Sequence, residues 1–170
     1  MEVWEAIQNK HAVRQFKDQP LPDEVVQRIL RAGRRAQSAK NSQPWDFIAV
    51  RERETLEKLA TMGTGMGWVA GAALSVAIVT PLPGERWAWY MFDAGQSASY
   101  MQLAAVEMGV GSCLGTVYKP DECRALLGFP EDKLVTITVS FGYPDDEAER
   151  KPGRARGRRP LDELVHWERW

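Results

Sequence analysis

From about Ala88 to Met108 the chain reads as a helix with almost no charge, Asp93 and Glu107 being its only acids and no base being present. Ala, Ser, Gly, Met and Leu dominate the segment. A helix that is apolar on most sides has to be covered on most sides, and its small residues let neighbouring helices come close. The rest of the 170-residue chain must therefore be arranged around this element. That length argues for one domain, expected to span residues 1–170. It can bury roughly 70% of the surface of the unfolded chain, so no disulfide scaffold is needed. There are no internal repeats and no linker long enough to divide the chain.

The flanking segments supply the covering elements. Val3, Trp4 and Ile7 recur at helical spacing and predict a short amphipathic helix over Glu2 to Gln8. Val25, Val26, Ile29 and Leu30 do the same in a segment that opens Pro22-Asp23-Glu24. A proline and acids suit the free N–H groups and the dipole of a first turn. This helix is expected to end near Ala36, and Gly33 to mark a close contact. Gln37 to Gln43 is polar and closed by Pro44, which biases the preceding residue out of helix, so a loop is expected. Phe47 to Val50 and Ala73 to Val79 predict strands, the second uncharged as a buried strand is. Thr55 to Leu59 and Pro120 to Leu127 predict short helices. Leu134 to Tyr143 alternates Val135, Ile137, Val139 and Phe141 against Thr136, Thr138, Ser140 and Gly142, the signature of a strand. Gly109 to Gly115 reads either as a helix cap and turn or as backbone that approaches a ligand. Strands interspersed with helices through irregular connections predict an α+β fold, a mixed sheet flanked by helices.

Several function classes are excluded. Lys plus Arg total 22 and Asp plus Glu 23, a net charge of −1, which argues against a nucleic-acid partner. Cys113 and Cys123 match no zinc or redox spacing, and two isolated cysteines suit a reducing compartment. Met1 to Lys10 has no long apolar run. Trp68 to Val79 falls far short of the ~20 residues of a membrane span. A soluble cytoplasmic protein without a membrane partner is expected. His11 and His166 sit in unrelated contexts, and Cys113 lacks an activating base. No nucleophile–base pair or metal set emerges, so an enzyme of this sequence would draw its chemistry from a cofactor.

Charge is nevertheless uneven. Lys10, His11 and Arg14 end the first helix. They either complement its dipole or form an anion site, for which the arginine fork is well shaped. Arg150 to Arg159 holds Arg150, Lys151, Arg154, Arg156, Arg158 and Arg159 with no acid. Apolar Leu161, Leu164, Val165, Trp167 and Trp170 follow and need a surface to bury against. Two separated basic clusters in a net-neutral chain fit one phosphate-bearing ligand better than a nucleic-acid face. Ser38-Ala39-Lys40-Asn41-Ser42-Gln43 carries amides that can read a heterocycle of mixed donors and acceptors, or it is only a polar connection. Gly63-Thr64-Gly65-Met66-Gly67 does not meet the dinucleotide fingerprint and reads as a flexible turn.

Three segments together resemble the nitroreductase family of flavin mononucleotide (FMN) enzymes. Lys10-His11-Ala12-Val13-Arg14-Gln15-Phe16 is similar to its basic N-terminal phosphate motif. Gln37-Ser38-Ala39-Lys40-Asn41-Ser42-Gln43-Pro44-Trp45 is similar to its Pro-Ser-x-x-Asn-x-Gln-Pro-Trp signature. Arg156-Gly157-Arg158-Arg159-Pro160-Leu161-Asp162-Glu163-Leu164-Val165 is similar to its closing segment. Asp93-Ala94-Gly95-Gln96 and Glu107 to Ser112 resemble its central helix and Gly-rich exit.

The resemblance implies roles residue by residue. Lys10, His11, Ala12 and Arg14 would hold the FMN phosphate and ribityl chain, and Arg156 and Arg158 would meet the same phosphate. Ser38, Ala39, Asn41 and Gln43 would reach the flavin from the partner subunit of an intertwined homodimer. Backbone at Leu114 and Gly115 would lie near the reactive edge of the ring. It further implies a two-electron ping-pong oxidoreductase. Hydride would pass from NADH or NADPH through flavin N5 to a small electron-poor acceptor such as a nitroaromatic, quinone or enone, with no covalent catalysis by the protein. Trp68, Trp87, Trp89 and Tyr90 would stack flat acceptors or serve core and dimer packing. A flavin carrier or sensor without turnover, and a specialised oxygen-dependent oxidase or flavin-degrading member, are the alternatives. Ala12 stands where the family has Ser, Gln37 where it has Pro, and Gly63 to Trp68 lacks the Asn and Lys of larger members. The short chain implies a reduced helical insertion over the site.

Overall fold

The alternation at the end of the chain produces the longest strand of an antiparallel sheet, and every other element is placed by that sheet. The computed structural model describes residues 1–145 and 157–170. In chain order the elements are α1 (Val3–Asn9), α2 (Asp23–Arg34), β1 (Asp46–Val50), α3 (Arg53–Leu59), β2 (Leu74–Pro81), α4 (Trp87–Glu107), β3 (Gly111–Thr116), α5 (Pro120–Leu127) and β4 (Lys133–Gly142). Short 3₁₀ turns lie at Ala39–Asn41, Gly67–Gly71 and Leu161–Glu163. The strand order is β1-β2-β4-β3, and all three pairings are antiparallel. The fold is α+β. Among the described residues, parallel pairing is confined to one bridge, between Ala12 and Ser112.

Register divides the core in two, because side chains alternate between the faces of a strand. Leu74, Val76 and Ile78 of β2 and Val139 and Phe141 of β4 face α2 and α4, where Ile29, Ala98 and Met101 meet them. Val50, Ala77, Val79 and Val135 face the other way, onto Leu56 and Leu59 of α3, Val69 and Cys123. Gly33 marks the close contact expected of it. A Cβ there would lie 2.2 Å from Met101 Cε, and Ser97 Oγ donates to the Gly33 carbonyl at 3.1 Å.

Two elements differ from the sequence expectation. The central helix buries one face only, through Asp93, Ala94, Ser97, Ala98, Met101, Gln102 and Ala105. Its other face presents Trp89 at 61% and Phe92 at 65% exposure, and Val3, Trp4 and Ile7 of α1 are exposed as well. The described residues therefore leave half of this apolar helix uncovered. The second difference is β3, which occupies the glycine segment read as a turn or a ligand approach. It is a strand because it pairs along its length with β4 and because Gly111 admits a neighbour. A Cβ at Gly111 would sit 2.7 Å from Val13 Cβ.

The chain after α1 lies against that strand. Val13 N donates to the Ser112 carbonyl at 2.9 Å, Asp145 N to Gln15 O at 3.0 Å and Lys17 N to Tyr143 O at 2.9 Å. Residues 12–17 are thus tied to β3 and to the end of β4. Among the described residues no helix is long and apolar enough to cross a membrane.

Candidate functional site

Lys10 is the residue at which α1 stops, with extended backbone at φ −67° and ψ 114°. The chain then turns onto β3 and carries the lysine with it. Lys10 is half-buried. Burial holds its ammonium below the usual lysine range, the Cys113 side chain opposes that effect, and the positive charge of Arg158 adds to it. No carboxylate pairs with Lys10 among the described residues. Two cations from opposite ends of the chain thus bear on each other, and a desolvated cation without an acid is stabilised by an incoming anion.

The remaining N-terminal residues extend this wall. His11 Nδ1 donates to the Asn9 carbonyl at 2.9 Å, and Ala12 forms the bridge to Ser112. The guanidinium carbon of Arg14 lies 4.9 Å from the centre of the Trp68 ring, a cation–π distance. β3 is an edge strand. Past Ser112 no described strand pairs with its outer edge. Leu114 is exposed. Gly115 is buried against Met66, whose Cε would lie 2.7 Å from a Cβ there. The segment that carries Lys10 and Arg14 therefore lies against the strand that holds Leu114 and Gly115, and the charge of Arg158 reaches Lys10. Arg156 lies outside the described residues, as does most of the basic run.

Ser38, Ala39, Asn41 and Gln43 are anchored elsewhere, at the start of α4. Asp93, 2% exposed, accepts from Ala39 N at 3.1 Å. Ser38 Oγ accepts from Gln43 N at 2.9 Å, and the Ser38 carbonyl accepts from Asn41 N at 3.0 Å. Lys40, Asn41 and Gln43 have φ of 54°, 54° and 47°. That left-handed region is disfavoured for L residues with a Cβ, and such strain gathers at functional sites. The loop is thus a built conformation rather than a slack connection. A cavity of about 320 Å³ opens beside it, lined by Lys40, Ser42, Arg86, Trp89, Tyr90 and Asp93. Trp89 and Tyr90 reach this cavity, whereas Trp87 does not line it and Trp68 stands with Arg14. Asp93→Ala is expected to lower stability by about 0.5–1.5 kcal/mol, since the part-buried hydrogen bond from Ala39 N is lost. The drop should appear in the urea midpoint, and Asp93→Asn, which keeps an acceptor oxygen, should recover most of it.

Residue patterns did not reveal the Arg14–Trp68 pair, because stacking between positions so far apart leaves no periodic trace. Among the described residues no group of His, Cys, Asp and Glu could hold a metal ion. Cys113 and Cys123 are free and buried, and burial pushes the Cys123 thiol up to about 11.

The sequence profile of the Nitroreductase family matches residues 7–81 and 68–143. The chain belongs to the nitroreductase family. A protein of Archaeoglobus fulgidus whose name includes the words NAD(P)H nitroreductase is 31% identical over 175 residues, covering 99% of each chain. The NADPH-flavin oxidoreductase of Vibrio harveyi is 28% identical over 95% of this chain and 72% of its own. Among solved structures, the FMN-dependent nitroreductase of Clostridium difficile is 26% identical, with a TM-score of 0.82 over 97% of this chain and 98% of its own. As a nitroreductase-family protein the chain is an oxidoreductase. The matched ranges contain Lys10, Arg14, residues 38–43, Leu114 and Gly115.

Proposed function

We propose that residues 1–170 act as a single FMN-binding domain, and that the protein is an FMN-dependent NAD(P)H oxidoreductase working as a homodimer. The observation that carries this reading is half-buried Lys10, under the positive charge of Arg158 and without a carboxylate partner among the described residues, at the start of the segment that lies against the edge strand β3. That donor set fits FMN: cations for the phosphate, and backbone N–H groups for the polar edge of the ring. When bound, FMN would supply two-electron chemistry, taking hydride from NADH or NADPH and giving it to an electron-poor acceptor.

The protein's share is to bind, orient and expose. Lys10, Arg14, Arg158 and Arg156 would fix the phosphate end, with His11 and Ala12 completing the N-terminal segment. Backbone at Leu114 and Gly115 would orient the ring edge. Ser38, Ala39, Asn41 and Gln43 would come from the partner subunit. The homodimer is supported by apolar surface that one protomer leaves open on α1 and α4 and by exposed Leu161, Trp167 and Trp170. Trp89 and Tyr90, which line a cavity with Lys40, would stack the acceptor. Two buried free thiols suit a reducing, cytoplasmic setting.

Purified protein is expected to be yellow, and anaerobic NADH or NADPH to bleach it, followed by reoxidation with a quinone or nitroaromatic. A yellow protein that neither nicotinamide bleaches would point instead to a flavin carrier or to a specialised oxidase or flavin-degrading enzyme. Protein that stays colourless and cannot be reconstituted with FMN contradicts the reading. Light scattering should give the mass of two chains, and a stable monomer would contradict the shared site.

A further inference from the structure

The cavity of about 320 Å³ at the start of α4 carries charge that the flavin phosphate does not use. Lys40, Ser42, Arg86, Trp89, Tyr90 and Asp93 line it. Among the described residues, neither Lys40 nor Arg86 makes an ion pair. Asp93 is the one acid among the described residues of the lining. It is 2% exposed, and its carboxylate accepts from the Ala39 N–H at 3.1 Å. The first turn of α4 holds no acid either, and the positive end of that helix adds to the same field.

Both cations are set by the fold. Lys40 is held at φ 54° in the loop that Asp93 anchors. It falls on a position that the signature Pro-Ser-x-x-Asn-x-Gln-Pro-Trp leaves open, so this charge belongs to this chain rather than to the signature. Arg86 immediately precedes α4 as its N-cap. The uncharged part of the lining is aromatic, and Trp89 and Tyr90 suit a flat ligand. The volume stands at the small end of ligand sites, which run ~300–1,000 Å³. A nicotinamide nucleotide carries its ring and its phosphates far apart. A cavity this small takes ring and charge together only when both belong to one compact molecule.

We propose that Lys40 and Arg86 select aromatic anions as electron acceptors: a nitroarene or quinone whose ring bears a carboxylate or sulfonate. Trp89 and Tyr90 stack the ring, and the two cations hold the anionic group. This inference rests on the reading above, in which the loop of residues 38–43 meets the flavin across the dimer.

FMN-loaded enzyme, reduced with NADH, is mixed with para-nitrobenzoate or with neutral para-nitrobenzamide, and flavin reoxidation is followed. Either probe takes two electrons and two protons to give the nitroso compound and water. From wild type to the double variant Lys40→Gln, Arg86→Gln, the carboxylate-to-amide rate ratio should fall by about 5–20-fold, the worth of two exposed charge contacts. The intrinsic reactivity of each probe cancels in that comparison. A second arm needs no variant and decides the matter if the variant does not fold. Benzoate should compete with a neutral quinone for the wild-type enzyme more strongly than benzamide does, and salt should erode the difference. A rate ratio that the double variant leaves unchanged overturns the proposal, even where its reduction by NADH is slowed. Benzoate that competes no better than benzamide at low salt overturns it as well. Either result leaves the FMN reading standing, provided the wild type is yellow and NADH bleaches it. Protein that is colourless and cannot be reconstituted with FMN overturns that reading and this proposal with it.

Discussion

Replacing Lys10 with methionine is expected to stabilise the FMN-free protein at neutral pH and to weaken FMN binding by about 10–100-fold. The two effects share one cause. Burial and the charge of Arg158 hold the Lys10 ammonium below its ordinary value of 10.5. A lysine whose pKa is lower in the folded state is penalised by folding whenever it is charged. That penalty is present at neutral pH and fades as pH rises through the folded value toward 10.5. Methionine keeps much of the length and apolar body of lysine and removes the charge. The melting temperature of the FMN-free variant should therefore exceed that of wild type at pH 7, with the gap closing in the alkaline range. The loss of affinity follows from a charge-assisted contact to phosphate worth about 1.5–3 kcal/mol. A variant that is less stable at pH 7 and binds FMN as wild type does would refute the assignment of Lys10. A residue kept at the expense of stability is what a binding site leaves behind.

Gly111→Val should damage fold and site together. A Cβ at Gly111 would lie 2.7 Å from Val13 Cβ and Cγ2 and 2.8 Å from Cγ1. Val13 is 2% exposed and its N–H is bonded to the Ser112 carbonyl. It cannot yield without lifting residues 12–17 from β3. Overpacking of this kind costs about 1–3 kcal/mol, or roughly 2–12 °C in melting temperature for a domain of this size. Because Lys10 and Arg14 flank the displaced segment, FMN affinity should fall by more than about tenfold. Gly84→Ala is the control, since nothing lies within 4 Å of a Cβ there, and it should change neither property. Thermal melts and FMN titrations of the two variants check both halves. A Gly111→Val protein that melts and binds FMN as wild type does would mean that residues 12–17 do not hold the site.

The elements that show most plainly in the sequence are those whose pattern is local. β4 is written in the alternation of Val135 to Gly142, and α5 opens on Pro120 and closes before Gly128, whose φ of 72° suits a glycine cap. β3 has no such pattern. Gly111, Ser112, Cys113 and Gly115 carry little strand preference, and the segment is extended because β4 and residues 12–13 supply its hydrogen bonds. The strain at Lys40 and Gln43 is likewise imposed from outside, by Asp93 and by bonds within the loop, and neither residue type signals a left-handed backbone. The absence of charge along α4 was legible, but its meaning was not. It announces a covered helix, and the described residues cover only half of it.

The candidate site divides in the same way. The basic clusters and the loop amides stand out by composition. That the charge of Arg158 bears on Lys10, and that Arg14 covers Trp68, depends on the tertiary arrangement of distant positions. The family profile and the relatives name the class of chemistry, while the proposed anion site rests on a half-buried lysine that the charge of Arg158 also disfavours.

The central claim is that the cations along β3 recognise a phosphate carried by a flavin. Calorimetric titration of FMN-free protein with FMN and with riboflavin, which lacks only the phosphate, tests it most directly. FMN should bind roughly 100-fold or more tightly than riboflavin, given two or more charge-assisted contacts. That advantage should shrink as salt screens the charges and be cut sharply in Lys10→Met. Equal affinity for the two flavins at low salt, or an FMN preference that Lys10→Met leaves untouched, would contradict the account.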